Sequence, residues 1–484
     1  MKIASFAFTL AAAMVAASLA GCATSNAQDG QATASGWEDL FNGRNLDGWE
    51  EHSGTAKYTV ADGVLIGESV SGSGNSFLCT KRTYQNFELE LEYKCDPLLN
   101  SGVQVRSEVF PAATNAVIGG KEYKFAADRI HGYQCEIDMD AARGRMWTGG
   151  IYDEARRGWL VPADGEKGPQ GQAFSEQGRA ASKNGEWNKL YIVANGPTIQ
   201  TWLNGVKRAE ICDNVTPQGV IALQVHGVGK DEKKVGLKIC FRNIRIHELA
   251  PNTLTQQEKA QGWKLLWDGN TTDGWRSPKS EAFPNKSWVI HDGELSVVSS
   301  GNAEAGAGGD IITRDRYANF ELAADFKTTE GCNSGIKIFV QPNISPIDKV
   351  TGKPTAVGSA IGLEFQILDD LHHPDAKLGR NGDRTIGSLY DLIPAPKDKK
   401  VMPISEWNHA RILSQAKHVE FWLNGVKSVE FERGSTAFRD AVAKSKFKDI
   451  PDFGEWADGH ILLQEHGSAV SFRNVQLREL PANY

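Results

Sequence analysis

The 484-residue chain is 40% hydrophobic and 23% charged, a make-up of soluble globular proteins, and it is too long for one ordinary core, so two or three domains are expected. Its formal charge of -7 and the lack of any lysine- or arginine-rich run leave no basic footprint for nucleic acid. Beyond the N-terminus no stretch is long and apolar enough to span a bilayer.

Taken in chain order, Lys2 precedes an uncharged, mostly apolar run from Ile3 to Gly21, and Leu19-Ala20-Gly21-Cys22 is similar to the bacterial lipoprotein signal. That similarity implies cleavage before Cys22 and lipidation of the cysteine. The expectation is a signal over residues 1–21, a small, polar, flexible tether over 22–35, and an exported protein, periplasmic or associated with the outer membrane, that meets the membrane only through its anchor. Export permits disulfides. Cys79, Cys95, Cys135, Cys212, Cys240 and Cys332 nevertheless show no CxxC or finger-like spacing, and free buried thiols suit them as well as bridges do.

The remainder is one unit written twice. Trp37-Glu38-Asp39-Leu40-Phe41-Asn42-Gly43 and Asp47-Gly48-Trp49 return as Trp263-Lys264-Leu265-Leu266-Trp267-Asp268-Gly269 and Asp273-Gly274-Trp275. In the same order Asn86-Phe87-Glu88-Leu89 returns at Asn319, Asn100-Ser101-Gly102 at Asn333, Glu186-Trp187-Asn188 at Glu406, Trp202-Leu203-Asn204-Gly205 at Trp422 and Phe241-Arg242-Asn243 at Phe472. A tandem duplication follows, with domains over 36–249 and 262–484 and a linker over 250–261. Within each copy the pattern has period two: Phe87–Tyr93, Val103–Val105, Leu190–Val193, Ile199–Leu203 and Val220–Val225 are short β-rich runs. Asp62-Gly63, Asp292-Gly293, Asn204-Gly205 and Asn424-Gly425 read as hairpin turns. Many short strands with almost no helical period predict an all-β chain of two sandwiches or jelly rolls. Two helices interrupt it: a connector capped by Thr255 with Glu258, and an amphipathic insertion from Thr436 to Lys446.

The stretch from His131 to Leu160 carries the densest polar pattern. Tyr133, Cys135 and Ile137 point one way and Gln134, Glu136 and Asp138 the other, and Tyr152, Asp153, Glu154, Arg156 and Arg157 follow behind two glycines. An acidic groove fits this density; a solvated edge strand with a charged turn is the bland alternative. The second copy repeats the strand with its acid moved: Leu363, Phe365 and Ile367 take the apolar face, Glu364 and Gln366 the polar one, and Leu389-Tyr390-Asp391 answers Ile151-Tyr152-Asp153. Continued alternation would place Gln104 and Arg106 on the groove face, where Lys337 and Phe339 stand in the second copy; Gln224 with His226 and Gln464 with His466 alternate in the same way. Asp369, Asp370, His372, His373 and Asp375 form the most metal-like cluster, although their spacing matches no defined site. Glu136-Ile137-Asp138-Met139-Asp140 approaches the ExDxE pattern of jelly-roll retaining glycosidases. An extended strand would hold Glu136 and Asp140 about 13 Å apart at Cα, against the roughly 5 Å between carboxyls that retention needs.

The ordered set LFNG, DGW, NFEL, NSG, the Gln134/Glu136 strand, IYD, EWN, WLNG, QxHG and FRN resembles the 3-keto-disaccharide hydrolase family, also described as a 3-keto-glucoside 1,2-lyase/3-keto-2-hydroxyglucal hydratase domain. The resemblance covers nearly all of both copies. It implies a concanavalin A-like jelly-roll fold and a carbohydrate substrate carrying a ketone at C3, from which a base removes the C2 proton, the aglycone leaves, and water adds back. Under it Glu136 or Asp138 would be the base of the first copy, Arg106 or Arg156 would face the developing oxyanion, and Tyr152 would donate a proton. Glu364, Asp369 and Tyr390 would act in the second copy, with His131, Gln134, Asp153, Glu154, Gln366 and His466 binding sugar. A divalent metal could replace the arginine, most readily in the second copy, and the sequence requires none. A tandem carbohydrate-binding protein and an ordinary retaining glycosidase are the alternatives. The sequence does not speak to oligomeric state.

Overall fold

The computed structural model describes residues 36–482 apart from 119, 140–143, 214, 285, 301–308, 348–349 and 356–358, so the signal, the tether, Cys22 and Asp140 lie outside the described residues. Each copy folds into a β-sandwich of jelly-roll type. In the first, the outer sheet runs in the order Val206–Cys212, Thr198–Leu203, Asn188–Asn195, Phe87–Cys95, Lys238–Glu248, Val64–Glu68, Lys57–Ala61. The inner sheet runs Gly158–Val161, Ile151–Glu154, Ile130–Ile137, Ser101–Val109, Val220–Val225, Ser76–Thr80, Trp49–His52. Non-sequential neighbours such as Phe87–Cys95 beside both Asn188–Asn195 and Lys238–Glu248 are the crossovers of that topology. The second copy repeats the plan with a shorter inner sheet, ordered Trp275–Arg276, Ile311–Thr313, His460–Leu463, Asn333–Gln341, Ile361–Leu368. The six cysteines among the described residues are free thiols.

Period two decides which residues meet. Val103, Tyr133, Cys135, Ile137 and Leu223 enter one core, and Ile336, Leu363, Phe365, Ile367 and Leu463 enter the other. The predicted hairpin turns have positive φ at both central residues, for example +49° at Asn204 and +86° at Gly205, as a two-residue hairpin requires. Both copies break the alternation at the same place. Arg106 has φ +47° and Phe339 +55°, each within a register shift of its inner-sheet strand, so the side chain two positions after Gln104 or Lys337 turns off the groove face.

Between the sandwiches, Asn252 and Asn474 exchange two backbone-to-side-chain hydrogen bonds of 2.7 Å. The connector helix Gln256–Ala260 carries the expected capping box, and the inserted helix spans Thr436–Lys444. A third helix, Pro169–Ala181, has no counterpart in the sequence reading, because Gly171 and Gly178 weaken its propensity and interrupt its apolar stripe. Those glycines let it lie directly on the loop beside it: a Cβ at Gly178 would stand 2.4 Å from the Met146 carbonyl. Gly178→Ala therefore sets a helix-propensity gain of at most about 1 kcal/mol against an overpacking cost of about 1–3 kcal/mol. The backbone contact wins, and the variant is expected to unfold at lower urea concentration than the parent.

Candidate functional site

The groove faces of the two inner sheets hold the polar residues that period two directs away from the cores. In the second copy they open into a pocket of about 440 Å³ lined by Glu364 and Gln366, by Asn333 and Lys337 of the neighbouring strand, and by Gln464, His466, His373, Asp375 and Tyr390 from the surrounding turns. Glu364 is buried, and its Oε2 lies 3.5 Å from the Lys337 ammonium. Lys337 donates to the Ser359 hydroxyl at 2.5 Å and to the Ala360 carbonyl at 3.3 Å, and Ser359 donates to Asp310 at 2.5 Å. Gln366 donates to Asn333 at 3.1 Å. The Gln366 and Gln464 carbonyl oxygens and the His466 Nδ1 are buried without a partner, which leaves acceptors for a hydroxylated ligand to satisfy.

The Tyr390 hydroxyl donates to Asp375 at 2.8 Å, and Arg384 braces Asp375 at 2.9 Å and Asp391 at 2.8 Å. Burial, then the neighbouring Glu364 and Asp375, push the Tyr390 phenol upward and keep it protonated. His373 Nδ1 accepts from the Asp375 amide at 3.2 Å, so its proton sits on Nε2; burial lowers its pKa and favours the neutral ring.

The first copy uses the same positions differently. Ser107 donates to Gln104 at 2.6 Å, Gln104 to Gln134 at 2.7 Å, Gln134 to Glu136 at 2.8 Å, and Asn100 to the other Glu136 oxygen at 2.6 Å. Glu136 is thus the end of an amide ladder, with no cation in contact among the described residues. Burial pushes its pKa up to about 7 despite the hydrogen bonds from Asn100 and Gln134. Tyr152 is half-buried beside Gln134 and packs edge-on against Trp159 at 5.1 Å.

Several residues expected at the groove stand elsewhere. The bulge turns Arg106 inward, where its guanidinium donates to Gln85 O at 2.5 Å, Gly196 O at 2.7 Å and Asn86 Oδ1 at 3.0 Å, so it cannot face an oxyanion. Asp153 is buried between Arg156, at 2.6 Å, and Arg157, and Arg156 packs over the Tyr133 ring, so this ion-paired group faces the core side of the strand. Asp138 pairs with Arg145, which also holds Glu166 at 2.7 Å. Glu154 pairs with Arg129. His131 is fully buried, stacks on Phe125 at 4.0 Å, and is held neutral by burial and by Arg156 and Arg129, its pKa down to about 4. Asp369 caps its own turn, accepting from the amides of Gly331 at 2.8 Å and Leu371 at 3.1 Å and pairing with His372 at 2.7 Å; those bonds lower its pKa and leave no lone pair directed at the pocket. Asp369 and His372 are therefore turn-capping groups, while His373 and Asp375 of the same cluster line the pocket. Among the described residues His418, Glu420 and Glu430 gather as metal ligands would, on the outer sheet, but Lys427 already pairs with both glutamates, at 2.9 and 2.7 Å. A larger cleft of about 760 Å³ lies between the two outer sheets. Its acids are already paired, Glu321 with Arg411 and with Arg478 at 2.7 Å, and Asp325 with His409 at 2.8 Å.

Ser359 and Asp310 are the site residues that pattern reading missed; it placed Lys337 on the groove face without giving it a role. Matching the copies position by position could have found Asp310: three residues before Thr313, it matches Phe77, three before Thr80.

The folded chain holds the Glu136 proton more tightly than the unfolded chain does, so this group costs stability as pH rises from the ordinary carboxylate range to about 7. Glu136→Gln removes that penalty. Denaturant unfolding should show parent and variant converging in acid, with the variant gaining on the order of 3 kcal/mol over the parent by about pH 8; a gap independent of pH would contradict the assignment.

Residues 36–247 and 262–478 each match the model of the 3-keto-alpha-glucoside-1,2-lyase-like domain. A 3-keto-disaccharide hydrolase of Bacteroides thetaiotaomicron is 35% identical over 234 residues, 46% of this chain and 79% of the relative. A Parabacteroides distasonis protein solved as a candidate glycosyl hydrolase is 30% identical, with a TM-score of 0.39, over 48% of this chain and all of that one. A carbohydrate-binding module of Bacillus subtilis is 16% identical, with a TM-score of 0.25, over 41% of this chain and 94% of the module. With both segments matched by the family model and a relative 35% identical, this chain belongs to the 3-keto-alpha-glucoside-1,2-lyase-like domain family and carries the domain twice.

Proposed function

We propose that this protein is a carbohydrate-active enzyme that acts on glycosides oxidised to the ketone at C3, and that the pocket of the second copy carries the chemistry. The observation that supports this most is a buried carboxylate, Glu364, facing a buried ammonium, Lys337, at 3.5 Å in a pocket with unmatched acceptors. A C3 ketone acidifies the C2 hydrogen. Glu364 takes that proton, the C2–H electron pair forms the C2=C3 bond, and the ketone oxygen becomes an enolate beside Lys337. When the enolate collapses back to the ketone, C1=C2 forms, the C1–O bond breaks, and the aglycone leaves as an alcohol with the proton Glu364 had taken. Water adding at C1 of the 3-keto-2-hydroxyglucal retraces the same enolate and completes net hydrolysis. Tyr390, directed by Asp375, and His466 would orient the sugar hydroxyls.

Sugar binding without turnover suits the first copy, where Gln104 stands in place of Lys337 and Glu136 closes an amide ladder. Export and lipidation at Cys22 belong to the same proposal, supported by the Leu19–Cys22 motif. Fatty-acid label incorporated by the parent should be absent from Cys22→Ser, and label retained by that variant would contradict the anchor.

The functional test is release of p-nitrophenol from its 3-keto-α-glucoside by the full chain. Glu364→Gln should lower kcat by roughly 10²–10⁴-fold, the usual contribution of a general base. Parental release by that variant, or release from the unoxidised glucoside at the same rate, would contradict the reading.

A further inference from the structure

Asp310 is 2% exposed at a corner of the second inner sheet, and the reaction above gives it no part. Burying a carboxylate costs several kcal/mol unless charge and hydrogen bonds offset it. Its surroundings are fully arranged. Oδ1 accepts from the Glu465 amide at 3.0 Å, and Oδ2 accepts from the Ser359 hydroxyl at 2.5 Å and the Ala360 amide at 3.3 Å. Because the Ser359 proton is committed to Asp310, only its lone pairs face Lys337, which donates to them. A second ammonium N–H goes to Ala360 O, and the third is left for the pocket. Lys337 is thereby held at 3.5 Å from Glu364, an ion pair longer than a direct charged hydrogen bond. Burial raises the Asp310 pKa and Lys337 is the largest influence opposing it, so the two groups sense each other.

The first copy lacks every link. Phe77 replaces Asp310 and packs with Cys79, Ile130 and Ala222; Arg129 replaces Ser359 and turns to Glu154; Gln104 and Gln134 replace Lys337 and Glu364. Four positions on three strands or their flanks change together from neutral or outward-paired groups to one connected line of charge.

We infer that Asp310 is a positioning residue which, through Ser359, draws the Lys337 ammonium back from Glu364, so that the carboxylate stays free to take a proton and the cation stays free to receive the enolate. The inference rests on the proposed function for its kinetic consequence only. Without the Asp310 charge, Lys337 closes on Glu364, stabilises its ionised form, and makes it the weaker base. The other groups lining the pocket around Glu364, namely Tyr390 with Asp375, His373 and His466, and Lys446 4.3 Å over the Tyr390 ring, are untouched by the change.

The experiment uses the full-length chain with Asp310→Asn and, to break the same link without altering a buried charge, Ser359→Ala. Titration of the Glu364 carboxyl by difference infrared spectroscopy, assigned with Glu364→Gln, needs no substrate. Its midpoint should fall by roughly 1 pH unit in both variants. On the p-nitrophenyl 3-keto-α-glucoside, kcat should fall about tenfold or more with KM within about twofold, and the acidic limb of the kcat profile should move to lower pH. A merely structural role would lower stability and leave that limb in place. An unmoved midpoint in both variants overturns the inference. Failure of the parent to turn over any 3-keto-glycoside would instead overturn the functional reading, with the carboxyl titration still deciding the role of Asp310.

Discussion

On the inner sheet of the second sandwich a buried ammonium sits between two buried carboxyl groups, directly against Glu364 and through one hydroxyl against Asp310. At an effective dielectric near 20, a pair of unit charges 3.5 Å apart attracts by about 5 kcal/mol. Desolvating each ion costs several kcal/mol in return. The arrangement roughly breaks even as a stabilising device, and an apolar filling like the Phe77 corner of the first copy would serve the fold equally well. In the proposed reaction the charges supply a fixed cation across which negative charge moves from a carboxylate to a substrate oxygen without leaving its reach. The low-dielectric setting strengthens that effect and makes its geometry matter.

Duplication allowed this divergence. Each copy keeps the sandwich, the serine hydroxyl that ties the inner strands together (Ser101 to Gln224 O at 2.6 Å, Ser334 to Gln464 O at 2.9 Å) and the bulge two positions past the Gln104/Lys337 site. Exchanging Gln134/Glu136 for Glu364/Gln366 moves the acid by two residues, about 7 Å along a strand, on the same face. The asparagine at the strand start, Asn100 or Asn333, then meets a carboxylate in one copy and an amide in the other. The carboxylate of the first copy ends among amides; that of the second meets a lysine.

The repeat, the sandwich class and the hairpins were legible because they rest on local rules: period two, turn residues with positive φ, and recurrence of motifs in order. The face of Glu136, Gln134, Glu364 and Gln366 was legible for the same reason. Arg106 was misread because one left-handed residue reverses the alternation, and nothing in Val103-Gln104-Val105-Arg106 marks that bulge. Asp369 and His372 looked like chemistry because acid and histidine at that spacing serve turn capping as readily as catalysis. Asp310 and Ser359 were invisible in the pattern because each reaches Lys337 from a strand or loop distant in sequence. The helix Pro169–Ala181 was hidden by glycines whose purpose is close packing, which a propensity scale counts against a helix.

In the proposed reaction Glu364 breaks the bond between C2 and its hydrogen before the glycosidic bond is lost. The most direct measurement is the isotope effect on kcat/KM for a 3-keto-α-glucoside carrying deuterium at C2. Proton abstraction by Glu364 should show as a primary isotope effect on release of the aglycone. Release at equal rates from the protiated and deuterated substrates would place bond breaking at C1 alone and contradict it.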